Sequence, residues 1–228
     1  GNLIVSANGN LDLSGVMLIL NCPGQGAYGI TVQSGGELTV RSASNITSPG
    51  PEYKFQVLGG GKLTVTDSVL KECGYSWGAL GETAGIYILS SNCNFTGVRV
   101  LNCYYGVVAR DSAPSFTDCR FEGDVYGVGL VNSTASFTRC GFNYDSNGAN
   151  VEKGGPSFDN CTFASNTGFG MLVYNSPFTA TKCDFALNSA GNCVLMNSDA
   201  TLSSSTFRDS IYGIYVSQGA PKISGSTF

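Results

Sequence analysis

Two carboxylates one repeat apart are the first residues in this chain that are able to do chemistry together. Asp124 and Asp145 stand in a column that continues as Asn166 and Asn188, and Glu122 is near. Two close carboxylates bind calcium or share a proton, whereas Asp and Asn also fill tight turns because of their backbone preferences. We expect the pair on the outer surface and favour the turn interpretation. We predict no cofactor, with calcium at Asp124 and Asp145 as the alternative, and no residue is assigned a catalytic role.

Nine cysteines supply the second kind of chemistry. Four of them form a ladder at the repeat spacing, and we expect these four to stack inside the fold as small buried apolar groups. They are Cys119, Cys140, Cys161 and Cys183. Cys73 and Cys103 fall at one turn position of adjacent repeats and are predicted to form a disulfide. The odd count leaves a thiol over, and Cys22 or Cys93 is the candidate for a bond to another subunit.

An apolar strip flanks a repeated glycine. Strand alternation directs its side chains outward, although they are aromatic or aliphatic: Tyr87, Tyr105, Tyr126, Phe169, Leu172, Tyr212 and Tyr215. Such a strip is a candidate lateral interface between copies of the chain, and aromatic strips also stack against sugars. The alternative is that strands simply carry β-forming residues on both faces.

The elements that position these residues belong to an internal repeat. Over residues 84–228 a glycine recurs at 85, 106, 127, 148, 170 and 213, with an Asn at 192, and a Phe column keeps the same steps. Each unit holds short alternating runs separated by Gly, Asn, Ser and Asp, which is typical of strands and turns. Three short strands per unit, closing on a dry interior, predict an all-β parallel solenoid.

Residues 1–83 carry the same pattern with looser spacing, so one domain over 1–228 with about 10–11 coils of about 21–27 residues is predicted. Leu3, Ile30 and Phe55 mark first strands of these coils. The segment 72–83 lengthens one coil and holds the only tryptophan, Trp77. We interpret it as a capping loop, with a contact or ligand loop as the alternative.

Composition indicates an extracellular or cell-surface protein. Charged residues are 12% of the chain, the formal net charge is −4, histidine is absent and no basic patch is visible, which argues against nucleic acid as a partner. No apolar run approaches the length that crosses a bilayer, so no membrane span is predicted. The chain begins at Gly1, which suggests a removed leader.

Four sequons are candidate glycosylation sites: Asn45, Asn94, Asn132 and Asn160.

The run over 29–40, the segment 45–48 and the repeats of form Gly-Val-x-Val…Phe-Thr-x-Cys-x-Phe resemble secreted right-handed parallel β-helix proteins of the pectate-lyase-like superfamily. The likeness covers essentially the whole chain and is greatest to β-helix proteins of archaeal cell surfaces and sheaths. It implies a right-handed, single-stranded parallel β-helix. Lyases of this fold use a carboxylate cluster for calcium with a Lys or Arg base. Here only Asp124 and Asp145 approach such a cluster, and no Lys or Arg is assignable as the base. This departure from the pattern of the lyases argues against an enzyme.

The chain starts and stops within core positions of the repeat, and open solenoid ends template association. We therefore predict a structural subunit of an extracellular polymer such as a surface layer, filament or sheath. It would bind itself head to tail and laterally through the aromatic strip and disulfides, with glycans as possible further partners. The alternative is a polysaccharide-binding or polysaccharide-cleaving β-helix of the lyase or epimerase kind.

Overall fold

The computed structural model describes residues 1–76 and 81–228, so Trp77 and the middle of the predicted insertion lie outside the described residues. The described chain is a right-handed β-solenoid in which three parallel sheets run along the axis. It has nine complete three-stranded coils and a tenth with two strands, close to the predicted count. The predicted fold class is confirmed. The described residues form no helix, and hence none that is long enough to span a membrane.

The first sheet has ten strands, and each begins a coil, so the coils are numbered from it. The predicted first strands at Leu3, Ile30 and Phe55 are confirmed as members of this sheet. The strands are β1 (Leu3–Val5), β4 (Gly29–Val32), β7 (Lys54–Val57), β10 (Gly85–Ile88), β13 (Tyr105–Arg110), β16 (Tyr126–Ser133), β19 (Asn147–Gly154), β22 (Phe169–Tyr174), β25 (Gly191–Met196) and β28 (Ile214–Val216).

The second sheet also has ten strands, whose outer face is rich in Ser and Thr. They are β2 (Asn10–Ser14), β5 (Glu37–Arg41), β8 (Lys62–Thr66), β11 (Cys93–Thr96), β14 (Ser115–Thr117), β17 (Ser136–Thr138), β20 (Ser157–Asp159), β23 (Phe178–Thr181), β26 (Ala200–Ser203) and β29 (Lys222–Ser224).

The third sheet has nine strands and forms the third side of each coil. They are β3 (Met17–Ile19), β6 (Asn45–Thr47), β9 (Val69–Lys71), β12 (Arg99–Leu101), β15 (Arg120–Glu122), β18 (Gly141–Asn143), β21 (Thr162–Ala164), β24 (Asp184–Ala186) and β27 (Thr206–Arg208). All pairings between coils are parallel, so each residue lies beside its equivalent in the next coil.

The corner between the second and third sheets is a turn with one residue in the left-handed region. That residue has a φ between 51° and 54° in five successive coils: Asp118, Arg139, Asn160, Lys182 and Ser204. Left-handed conformations are unfavourable for residues with a side chain, and they recur here because the single residue lets the chain change direction at a constant coil length. This constancy explains why the repeat length varies so little in this half of the chain.

The repeated glycine is a packing requirement. A Cβ added at Gly127 would lie 2.5 Å from the carbonyl oxygen of Gly148 and 2.7 Å from a carboxylate oxygen of Asp145. No ordinary side chain fits at that distance from backbone. The glycine column therefore marks the point at which successive coils approach most closely.

Phenylalanine stacks fill the interior. The ring of Phe142 stacks on Phe121 at a centroid distance of 5.1 Å and on Phe163 at 4.6 Å. The rings of Phe137 and Phe158, from the second sheet, meet it edge to face at 5.4 and 6.0 Å. The separations of the stacked rings, 5.1 and 4.6 Å, are close to the spacing of paired strands, about 4.8 Å. Identical rings in one column thus stack without any adjustment of the coils.

Replacing Phe142 by alanine tests the weight of these stacks. The side chain is fully buried between two rings, so we expect Phe142→Ala to lower the free energy of unfolding by about 3–5 kcal/mol. Phe228, which is 69% exposed, occupies the same column, and Phe228→Ala should lower it by less than about 1 kcal/mol. Urea denaturation followed by circular dichroism measures both. Equal losses for the two variants would contradict the proposed role of the stacks.

Candidate functional site

The two predicted surface carboxylates are inside the solenoid, so their outward placement is wrong. Asp124 and Asp145 are 4% and 1% exposed at the corner between the third sheet and the next coil. Oδ1 of Asp124 accepts the backbone N–H of Cys103 at 2.6 Å, and Oδ1 of Asp145 accepts that of Asp124 at 2.9 Å. Asn166 accepts the N–H of Asp145 at 2.9 Å in the same way. The side chains point inward because each one bonds the backbone of the preceding coil.

We call this hydrogen-bonded column of Asp124, Asp145 and Asn166 the corner ladder. It changes the acidity of both carboxyl groups. Burial raises the pKa of Asp124 well above its usual range, and the neighbouring Asp145 raises it further. Burial also raises the pKa of Asp145 to about 8, with Glu122 adding to the effect. Neither Oδ2 atom has a hydrogen-bond partner. Within residues 1–76 and 81–228 no group of three or more His, Cys, Asp or Glu side chains is placed to hold a metal, so the calcium interpretation gains no support.

The cysteine ladder lies where the repeat predicts. Its thiols are free and at most 2% exposed, and their S–H groups donate to backbone carbonyl oxygens. The Sγ of Cys140 bonds the carbonyl of Phe116 at 3.5 Å, and that of Cys161 bonds the carbonyl of Phe137 at the same distance. The ladder therefore behaves as a column of small buried side chains with satisfied thiols.

The remaining cysteines depart from prediction. Cys22 is 4% exposed and Cys93 is fully buried, so their burial does not support a bond to another subunit, and that bond stays a prediction. Cys73 and Cys103 are neighbours, as expected from the turn, but both are free thiols. The backbone N–H of Cys73 donates to the Sγ of Cys103 at 3.4 Å, so the predicted disulfide is not formed in this structure.

Tyrosine side chains on coils 4 to 6 form one aromatic patch on the outer face of the first sheet. Tyr105 and Tyr126 stack at 4.4 Å, and Tyr104 meets Tyr126 edge to face at 5.9 Å. The hydroxyl of Tyr105 accepts a hydrogen bond from Nδ2 of Asn150 at 3.4 Å, across the coil that carries Gly129. Burial raises the pKa of Tyr105 to about 12. Tyr105 is therefore the base of the patch, and Tyr104 and Tyr126 are its accessible part.

A second aromatic patch lies on coils 8 to 10. Tyr212 and Tyr215 are 49% and 44% exposed, and their ring centroids lie 5.7 Å apart. Together with Phe169, Val194 and Met196 they line a shallow cleft of about 250 Å³. This patch is open along the outer face of the first sheet.

Coil 7 places polar groups between the two patches. Asn147 lies beside Tyr126 of coil 6, and Asn150 lies between Gly129 of coil 6 and Leu172 of coil 8. Asn150, Glu152 and Tyr174 line a cleft of about 110 Å³. From coil 4 to coil 10 this outer face, which we call the aromatic strip, extends over six coil steps, about 29 Å.

The sequence placed most of the strip correctly. Its seven predicted members all belong to the first sheet or lie directly beside it. Tyr105 is buried, Tyr212 and Tyr215 are exposed, and the other four are half-buried. The sequence reasoning missed Tyr104, Glu152, Tyr174 and Met196. Three of these, Glu152, Tyr174 and Met196, share one column two residues beyond the predicted one, so a second outward column was the available signal.

The four sequon asparagines differ in exposure. Asn94, Asn132 and Asn160 are exposed, whereas Asn45 is half-buried in β6 with its Oδ1 atom buried and unpartnered. Asn132, near the end of β16, and Asn160, at a corner, have φ of 50° and 53°. Glycosylation stays a prediction, and the structure favours it at the three exposed positions.

Comparisons with known proteins agree on the fold. A family described as "Right handed beta helix region" matches residues 4–140 and 126–228. No curated protein sequence matches the chain. A mutant of the periplasmic alginate epimerase AlgG has a similar structure, with a TM-score of 0.80 and 12% identity, covering 97% of this chain and 60% of its own. This chain thus spans about three fifths of that relative's length.

Two further solved structures share the fold at lower similarity. Pectate lyase Pel9A has a TM-score of 0.56 and 12% identity, covering 85% of this chain and 63% of its own. The Dettilon tailspike protein has a TM-score of 0.55 and 9% identity, covering 90% of this chain and 46% of its own. At these identities the likeness establishes the architecture alone.

The raised pKa of Asp145 predicts that stability falls as pH rises. The folded protein retains a proton up to about pH 8 that the unfolded chain releases near 3.8. The stability that this proton contributes is therefore fully present below about pH 3.8 and is lost as pH rises through about 8. Asp145→Asn should flatten this decline and raise the melting temperature at about pH 8, since Asn already fills the next position of the ladder.

Thermal unfolding at a series of pH values measures the effect. Asp118→Asn is the matched control, because the exposed Asp118 bonds Arg139 and its pKa is lowered. It should leave the decline unchanged. A pH dependence in Asp145→Asn equal to that of the wild type would contradict the assignment.

Burial of every cysteine predicts that the native protein resists thiol reagents. We expect no labelling of the native protein and labelling of all nine cysteines in denaturant without reductant. Labelling of two fewer in denaturant, restored by reductant and mapped to Cys73 and Cys103 by mass spectrometry, would reinstate the predicted disulfide. Rapid native labelling of Cys22 or Cys93, mapped by mass spectrometry, would contradict their burial.

Proposed function

Because the chain belongs to the family of right-handed β-helix regions, we propose that it is a polysaccharide-binding protein outside the cytoplasm whose binding face is the aromatic strip. The proteins with similar structures support this choice of ligand. Their names describe an alginate epimerase, a pectate lyase and a tailspike, and the epimerase is periplasmic. The observation that carries the proposal is the strip itself.

The strip has the composition of a sugar-binding surface. Sugar rings present apolar C–H faces and hydroxyl groups, so aromatic rings with a few convergent polar groups suit them. The accessible rings of Tyr126, Tyr174 and Tyr212 supply the first feature. The carboxylate of Glu152 supplies the second, beside Asn150, whose Oδ1 atom is buried. The length of about 29 Å suits an extended chain that lies along the solenoid axis.

The side chains of the strip favour binding over cleavage. Glycoside hydrolysis ordinarily uses two carboxyl groups that flank the bond. In the described outward columns of coils 4 to 9, Glu152 is the single carboxylate. Asp124 and Asp145 lie inside the solenoid and do not face the strip. We therefore propose a binding role.

The polymer hypothesis uses the same strip as a lateral contact between copies. The exposed pair Tyr212 and Tyr215 favours it as a second proposal, because such a patch is also suited to protein contacts. The burial of Cys22 and Cys93 gives disulfides between copies no support. The comparisons support the polysaccharide proposal better.

Loss of accessible rings should weaken polysaccharide binding. We expect Tyr174→Ala and Tyr212→Ala each to reduce affinity about tenfold, since a stacked ring contributes about 0.5–1.5 kcal/mol beyond its buried area. Affinity electrophoresis in gels that contain single polysaccharides measures this. Tyr144→Asn is the control, because Tyr144 is 69% exposed at a corner after the third sheet.

Three results would decide against the proposal. These are no retardation by any polysaccharide, a loss in Tyr144→Asn equal to that in Tyr174→Ala, or a concentration-dependent polymer in the ultracentrifuge that Tyr212→Ala dissolves. The last result would support the second proposal instead.

A further inference from the structure

We infer that the aromatic strip takes an uncharged glycan rather than a polyuronate. This inference rests on the proposed function and adds the class of substrate. It separates the chain from the two enzymes whose names refer to alginate and pectate.

The first step is the charge of the strip. The three outward columns over coils 4 to 9 contain one cation, Arg110, and one anion, Glu152, among the described residues. They lie two coils apart in one column, and Glu152 is 3.3 Å from the ammonium of Lys153. Next to these two residues in the chain, Asp111 and Lys153 add one negative and one positive charge. The strip is therefore neutral whether or not these flanking residues are included.

The second step is the location of the other cations on coils 4 to 6. Arg99, Arg120 and Arg139 belong to the third sheet and its corner, away from the strip. Arg99 bonds Glu122 at 2.9 Å, and Arg139 bonds Asp118 at 2.7 Å. These charges are matched by acids on neighbouring coils and do not form a basic surface. On the described part of these coils, a polyanion finds no row of unmatched cations.

The third step is what a uronate would meet on the strip. A polyuronate carries a carboxylate on each sugar, and desolvating a carboxylate against Leu172, Val194 or an aromatic ring is unfavourable without a partner. At coil 7 it would meet the carboxylate of Glu152, which accepts hydrogen bonds from hydroxyl groups but repels another carboxylate. Glu152 thus discriminates between the two classes of glycan.

Matched ligands test the inference. Glucan, mannan and xylan oligosaccharides are compared by calorimetry with mannuronate and galacturonate oligosaccharides of equal length. We expect the best neutral ligand to bind at least about tenfold more tightly than either uronate, with an affinity that salt does not change.

Charge substitutions sharpen the test. Leu172→Lys adds a cation at the centre of the strip and should raise uronate affinity about tenfold, and Glu152→Gln should raise it several-fold by removing the repulsion. Thr96→Lys places the same charge on the exposed face of the second sheet and should change nothing.

The outcomes distinguish the inference from the proposed function. Tighter binding of a uronate, weakened by salt and by Tyr174→Ala, would overturn the inference and leave the proposed function intact. Uronate affinities unchanged in both Leu172→Lys and Glu152→Gln would also overturn it. Binding of neither class would overturn both.

Discussion

The structure depends on one constraint, the in-register parallel pairing of successive coils. Each residue lies beside its equivalent about 4.8 Å away along the axis, so every position of the repeat becomes a column of neighbours. Rings such as Phe142 and Phe163 gain from this, because their preferred stacking distance matches the coil spacing. Groups that repel their own kind are excluded from the interior, or they have to lose their charge.

Asp124 and Asp145 show how that constraint acts on a polar column. Their position supplies an acceptor to the backbone N–H of the preceding coil, a task that Asn166 performs without charge. Two carboxylates in successive coils perform it only if their proton affinity rises, as the raised pKa of both groups shows. The pair is thus a structural ladder with an acid–base consequence, and its oxygens are not available to a substrate on the outer face.

The sequence predicts the strands well and the corners poorly, for a physical reason. Alternation within a strand assigns inward and outward positions, so the Phe columns and the cysteine ladder followed from spacing alone. At a corner the backbone turns through a left-handed residue such as Asp118 or Arg139, and alternation no longer applies. This is why Asp124 was placed outside. The prediction that Tyr105 is exposed is wrong for a different reason. Its burial depends on Gly129 and Asn150 in later coils, which alternation within its own strand does not reveal.

The outer columns of the first sheet vary more from coil to coil than the interior columns, although Tyr105 and Tyr126 stack there as well. Interior columns repeat because their neighbours are equivalent, and this explains how a structure with 12% identity reaches a TM-score of 0.80. On the outer face of the first sheet, coil 7 places Asn147, Asn150 and Glu152 between the two aromatic patches, next to Gly129 of coil 6. Two of these polar residues also serve the fold, because Oδ1 of Asn147 accepts the backbone N–H of Phe169 at 2.8 Å and Nδ2 of Asn150 donates to the hydroxyl of Tyr105 at 3.4 Å. Glu152 instead pairs with Lys153, at 3.3 Å. Under the proposed function, this polar step between two aromatic patches would face the hydroxyl edges of a bound sugar chain.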